Sequence, residues 1–301
     1  MNLDILLKKI INKGETALDI GAHEGIVTYL LAELVGESGK VSAFEPNPKK
    51  FKILSTKNKF SNATLEPSAV GDKQGSIPLY FGDEEFADQA STIMNGLATK
   101  ERLGDKINCV QVPITTLDDY CEKLGLTPSA VKIDVEGAEL LVFKGSTNLI
   151  NKTRPIFIFE QGFHNEALEP ETIQLLKNSN YFIAISELHY FKNIKNGWKV
   201  NNVKNSLLPP LHDQLIEYNF EYLRKGVFHT NLIAIPNEKW SQLKTKLTLL
   251  NWQFSFSNLK HPIAHTPKFD INFPASLKTL GRLLIPHQMR PKIKSLIEKA
   301  L

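Results

Sequence analysis

Apolar and polar positions along this 301-residue chain fall into two alternating periods. Short apolar runs at Thr16–Ile20 and Val41–Glu45 are each followed by a helical repeat, from Gly25 to about Val35 and from Pro48 to about Asn58. That alternation predicts βαβ units around a parallel sheet. Pro48 presets φ for a first helical turn, and Gly36 with Gly39 stops the preceding helix. Further strands are predicted at Thr64–Val70, Ile77–Phe81, Asn108–Ile114, Ala130–Val135 and Ile156–Phe159, the last two apolar enough to be covered on both faces. Tyr181–Glu187 and Asn231–Ile235 read as two more, separated by a polar insertion at about 188–228 that contains Pro209-Pro210.

After Pro236 the pattern changes, which divides the chain into a domain at 1–236 and an extension at 237–301. Trp240–Leu250 is helical in period, a stretch dotted with Pro and His runs to Pro274, and Pro291–Leu301 closes as a basic amphipathic helix. At the other end, Met1 to Ile11 is an amphipathic helix with an early acid and late lysines, the reverse of a secretory signal. No apolar run reaches membrane-spanning length.

Composition adds two points. Cys109 and Cys121 are the only cysteines and form no Cys-x-x-Cys pair, which fits a reducing compartment and excludes a disulfide scaffold. The net charge of +4 is uneven: Glu238 to Leu301 holds 11 Lys/Arg against 3 Asp/Glu, a net of +8, so the rest carries 4 − 8 = −4.

Three segments carry chemistry. Asp19-Ile20-Gly21-Ala22-His23-Glu24-Gly25 follows an apolar strand and opens a helix, so backbone can approach a ligand at a positively polarised helix N-terminus. A dinucleotide site would use G-x-G-x-x-G; here the spacing is G-x-x-x-G behind an acid. Asp19 would repel phosphate and attract an ammonium group, which matches S-adenosylmethionine; the alternative is an acidic cap on a glycine turn. Glu45 ends the second strand 20 residues after Gly25, where an acid can accept both hydroxyls of a ribose, or simply mark a turn with Pro46 and Asn47. In Lys132-Ile133-Asp134-Val135-Glu136-Gly137-Ala138-Glu139, strand alternation puts Lys132, Asp134 and Glu136 on one face. Burying three charges there requires partners or a cleft, so Lys132 is expected to pair with Asp19 or Glu160. Asp134 and Glu136 then lie nearer the open end, although Glu136 can also cap a helix at Gly137–Asn148.

Together these segments resemble the FkbM family of methyltransferases. The resemblance runs from about Thr16 to Pro236. It rests on Asp19-Ile20-Gly21-Ala22 with Gly25, Ala43 to Pro48, Ala69-Val70-Gly71-Asp72, Thr116-Leu117-Asp118, and Lys132 to Glu139 with Lys144-Gly145. It implies an α/β class I methyltransferase sheet, Rossmann-like and mostly parallel with a C-terminal antiparallel hairpin. It further implies S-adenosylmethionine as donor, held by Asp19, Gly21, Ala22, His23, Gly25, Glu45, Pro46, Asn47, Ala69, Val70 and Asp72, and a hydroxyl acceptor on a sugar, glycan or secondary metabolite. His23 stands where the family usually has Asn, and the residues after Pro236 lie outside the resemblance.

An alcohol acceptor must lose its proton, and the candidate catalytic residues are Asp134, Glu136 and His164. A metal alternative places Mg²⁺ between Asp134, Glu160 and Gln161; it is not favoured, since Glu160 can instead neutralise Lys132. A rival reading from the basic tail is a nucleic-acid methyltransferase. Asp134-Val135-Glu136-Gly137 differs from the Asn-Pro-Pro-Tyr type loop of adenine-amino enzymes, whereas ribose methylation stays open. A non-enzymatic binding module is least favoured, because the donor motifs are intact. Ser276–Ile285 and Lys292–Leu301 mix apolar residues with lysine and arginine, so they either pack on the domain or lie on an anionic membrane. The expected location is the cytoplasm, at most peripheral on the inner face of the membrane.

Overall fold

The computed structural model describes residues 3–82, 91–93, 103, 106–164, 168–194, 197–202, 214–218, 220–223 and 227–250. The predicted helix at 276–285 and the closing helix at Pro291–Leu301 lie outside them.

After a leading helix α1 (Leu3–Ile10) come β1 (Thr16–Ile20), α2 (Ile26–Val35), β2 (Lys40–Phe44), α3 (Pro48–Lys57) and β3 (Ala63–Glu66). Asn47 caps α3 through its side chain, which accepts from the Lys49 N–H, and Pro48 occupies the first turn. Next come β4 (Ala69–Val70), β5 (Gly75–Gly82), β6 (Ser91–Thr92), β7 (Ile107–Thr115), α4 (Leu117–Leu124), β8 (Ala130–Ile133) and α5 (Glu139–Lys144). The remainder is β9 (Ile156–His164), α6 (Glu171–Asn178), β10 (Tyr181–Ile194), β11 (Gly197–Asn202), β12 (Gln214–Glu217), α7 (Phe220–Leu223), β13 (Val227–Pro236), α8 (Asn237–Leu243) and β14 (Thr248–Leu250).

The main sheet runs β14-β12-β10-β13-β9-β8-β1-β2-β3, with β11 paired to β10. β3, β2, β1, β8 and β9 are parallel, and β13 enters antiparallel between β9 and β10. Strand alternation divides its side chains between two cores. Leu18, Ile20, Val131, Ile133, Phe157 and Phe159 meet Leu117, Val142, Phe143 and Leu176 on one face. Ala17, Val41, Ala130, Ile156 and Ile158 meet Leu6, Leu7, Ile10, Leu31 and Val35 on the other. The strand order reverses between β1 and β8, so the carboxyl ends of those two strands open a crevice.

Four sequence expectations change. The predicted strand Thr64–Val70 is two strands in different sheets, because Pro67-Ser68 breaks it; β4 joins β7, β5 and β6 in a separate four-stranded sheet. The predicted strand to Val135 ends at Ile133, since Glu136 (φ 54°) and Gly137 (φ 100°) turn left-handed, and the helix expected at Gly137–Asn148 is reduced to Glu139–Lys144. Within the insertion expected at 188–228, β10 continues to Ile194 and hairpins into β11, and β12 returns to the sheet. Finally, Trp240–Leu250 is not one helix: α8 ends at Leu243 and β14 pairs parallel with β12. Trp240 stacks on Phe182 at 4.3 Å and Leu247 is buried, so residues after Pro236 pack against the sheet. Among the described residues, no helix is long and apolar enough to cross a membrane.

Candidate active site

A cavity of about 240 Å³ opens at the carboxyl edge of the sheet, where the strand order reverses. One wall is the Gly21–Glu24 turn. The Gly21 and Ala22 N–H groups donate to the Phe44 carbonyl at 3.0 and 2.9 Å, which holds the turn against the end of β2. Gly21 has φ +79°, and an added Cβ would lie 1.9 Å from the Asp134 carbonyl oxygen, so only glycine allows the two loops to meet. His23 also takes a left-handed conformation (φ 53°) and lines the cavity.

Glu45, just beyond β2, is 5% exposed yet lines the cavity. Its Oε2 accepts the His23 N–H at 2.7 Å and its Oε1 accepts the Asn47 N–H at 2.8 Å. Burial pushes its carboxyl up to about 7, with Asp19 adding and the two N–H groups and Lys132 opposing. Pro46 continues this wall, and Ala69, Val70, Leu79 and Ser91 of the smaller sheet line the cavity together with Ile93 just past β6. The Asn47 side chain donates to Ser91 Oγ at 2.9 Å, which ties the smaller sheet to the β2 loop.

The opposite wall is the loop after β8. Asp134 and Glu136 line the cavity, and Thr92 Oγ1 donates to the Glu136 carbonyl at 3.4 Å. The Glu139 carboxylate accepts the Val135 and Gly137 N–H groups and fixes this loop. Burial pushes Glu139 up to about 7, and the Glu160 and Asp134 charges add. Behind both walls sits Lys132. Its Nζ donates to the Gly21 carbonyl at 2.9 Å and lies 3.3 Å from Asp19 and 3.6 Å from Asp134. Asp134, whose side chain is 39% exposed at the cavity wall, is raised chiefly by desolvation, with Glu160 and Asp19 adding and Lys132 opposing.

Several site candidates are therefore brought together: Gly21, His23, Glu45, Pro46, Ala69, Val70, Asp134 and Glu136 share one cavity. Others are not. Asp19 is fully enclosed behind the cavity, where its carboxylate accepts from Thr28 at 2.6 Å and lies 3.3 Å from the Lys132 Nζ. Lys132 thus answers Asp19 and not Glu160. Ala22 packs with Ala43 and Leu54, Gly25 caps α2, Asn47 is buried beneath Glu45, and Asp72 is exposed on a turn outside the cavity. The backbone of His164 ends β9 opposite Val227, and its side chain lies outside the described residues. Glu160 and Gln161 do not line the cavity, and Gln161 donates to the Gly162 carbonyl. Among the described residues, no three His, Cys, Asp or Glu side chains gather as a metal-ligating set. The sequence reading missed Glu24, Ile26, Ser68, Leu79, Ser91 and Ile93 as lining residues. Glu24 and Ile26 sit inside or next to the glycine motif and Leu79 lies in the predicted strand Ile77–Phe81, whereas Ser68, Ser91 and Ile93 come from a turn and from a two-residue strand and its end, with no local signal.

Sheet order, the glycine turn at the reversal and an acid at the end of the second strand define a class I methyltransferase fold. The chain belongs to the methyltransferase FkbM domain family, whose profile matches residues 19–183. Among solved structures it is similar to the methyltransferase FkbM of Methylobacillus flagellatus KT (16% identity, 72% of this chain, TM-score 0.38), covering only 43% of that protein. It is similar too to precorrin-6y C5,15-methyltransferase of Geobacter metallireducens GS-15 (13% identity, 77% of this chain and 85% of that one, TM-score 0.38). A SAM-dependent O-methyltransferase of Thermotoga maritima aligns at 13% identity over 77% of this chain and 63% of its own, TM-score 0.36. No curated protein matches the chain in sequence.

Proposed function

We propose that this protein transfers a methyl group from S-adenosylmethionine to a hydroxyl, on a sugar of a glycan, glycolipid or secondary metabolite. The observation that carries the reading is Glu45, a buried carboxylate presented to a cavity whose other side is a glycine turn at a helix N-terminus. The chemistry of the lining fits such a donor: an acid for the ribose diol, apolar Ala69, Val70, Leu79 and Ile93 for an adenine, and the turn before α2 for the amino-acid end.

S-adenosylmethionine supplies a methyl group already activated on a cationic sulphur. The protein's work is then positioning and proton removal. The S–CH₃ electron pair goes to sulphur, an O–CH₃ bond forms, and the hydroxyl proton leaves. Asp134 lines the cavity beside Lys132, which makes it the carboxylate placed to accept that proton. Lys132 keeps Asp134 and the Gly21 turn in register.

The test is calorimetry with S-adenosylmethionine and NAD, followed by labelled-methyl transfer onto glycan, lipid and RNA fractions. Binding of NAD instead, or label entering RNA alone, overturns the reading. Attachment of the basic segment 251–301 to an anionic membrane is a separate proposal, supported by its charge. It is abandoned if phosphatidylglycerol vesicles fail to pellet the full-length protein, or if they pellet a chain ending at Leu250 equally well.

A further inference from the structure

Four acids, Glu24, Glu45, Asp134 and Glu136, line the cavity, and no Lys or Arg does so among the described residues. Among the described residues, Lys50, Lys57 and Lys132 near the cavity are already engaged. Lys50 and Lys57 approach Glu24 at 3.4 and 3.0 Å. Lys132 is shared between Asp19 and Asp134, which leaves that trio with one net negative charge. Glu160 adds to it, since its charge raises both Asp134 and Glu139. The wall formed by Asp134 and Glu136 therefore faces the cavity with a negative field, in a setting where charges act more strongly than in bulk water.

We infer that this wall makes the cavity selective for a cationic ligand, so that Asp134 and Glu136 hold the positively charged donor and favour release of its uncharged product. The inference rests on S-adenosylmethionine being the donor. Transfer converts a sulphonium into a neutral thioether: the methyl leaves with no electrons, both electrons of the S–CH₃ bond stay on sulphur, and the ligand's net charge falls by one. A site lined with carboxylates loses an attraction in that step, while its contacts to adenine, ribose and amino acid stay the same. Glu45 contributes equally before and after transfer, because its two oxygens are organised by the His23 and Asn47 N–H groups for the diol. Discrimination belongs to the opposite wall.

Calorimetry on the full chain tests this without any acceptor, using S-adenosylmethionine, S-adenosylhomocysteine and sinefungin, whose protonated amine stands in place of the sulphonium. The two cationic ligands should bind about tenfold more tightly than S-adenosylhomocysteine. Asp134→Asn and Glu136→Gln should each shrink that ratio mainly by weakening the cations. Two variants are needed because Asp134→Asn also takes a partner from Lys132, and a thermal melt of each reports whether it folds. Equal or tighter binding of S-adenosylhomocysteine overturns the inference, as does a ratio untouched by both folded variants. If none of the three ligands binds, the donor assignment itself has failed, which is a distinct result.

Discussion

Donor binding should tighten as the pH rises from about 5.5 to 7.5, because Glu45 must shed a proton before both its oxygens can accept ribose hydroxyls. Its carboxyl is pushed up from 4.5 to about 7 by burial. If only the ionised form is competent, the competent fraction grows from roughly 3% to 75% over that range, and the apparent affinity rises roughly 25-fold. Calorimetry in buffers of different ionisation heat should show proton release on binding below neutrality. Glu45→Gln should bind weakly at every pH and lose the slope. The same shift acts on the fold with a definite sign. A carboxyl raised above its ordinary value holds its proton more tightly when folded, so its contribution is complete below 4.5 and is lost as the pH climbs through about 7. The loss amounts to about 3 kcal/mol, read as the difference between wild-type and Glu45→Gln urea melts across the range. An affinity flat with pH would refute this reasoning. A slope that survives in Glu45→Gln would assign the proton to Glu139, which is also pushed up to about 7.

Gly21→Ala should abolish donor binding and lower the melting temperature: a left-handed φ costs a side chain about 1 kcal/mol, and the new Cβ strikes the Asp134 carbonyl. Lys132→Met leaves Asp19 buried without its cation and should cost roughly 3–5 kcal/mol in denaturant melts; wild-type stability would remove Lys132 as the link between the two loops. Arg154→Ala should cost about 1–2 kcal/mol, because the guanidinium binds the Ile150, Ser179 and Asn180 carbonyls as well as Glu238. Exhaustive EDTA treatment should leave methyl transfer unchanged; its loss, restored by Mg²⁺, would revive the metal reading at Asp134.

The parallel half of the fold was legible because each of β1, β2, β8 and β9 is a short, mostly apolar run flanked by a helical repeat or a glycine stop. Glu45 and the Gly21 turn were legible for a related reason: their chemistry is carried by position at strand ends, which sequence order alone supplies. The smaller sheet was not. Its strands β4 and β6 are two residues long, and β5 finds β7 across a separation of more than twenty residues, so no local period marks the pairing. Asp19 was placed at the right strand end, and its enclosure there was not evident from its own segment. Its fate depends on the neighbouring Lys132, 113 residues later, which the register of β1 and β8 sets beside it. Trp240, Leu243, Leu247 and Leu250 have helical spacing, yet the chain uses the first two in α8 and bends before β14.

The position of β13 has a consequence for how the chain is made. It fills the slot between β9 and β10, although it follows both in sequence, so β10 has no bond to β9 until β13 arrives. The matched family segment ends at residue 183, three residues into β10 and more than forty before β13 begins. A nascent chain that has emerged only that far exposes the raw edge of β9 and cannot complete its sheet. A strand so late in the chain is central, which delays joining of the sheet's two halves until about Pro236 has left the ribosome and leaves unpaired edges open to misassociation in the interval.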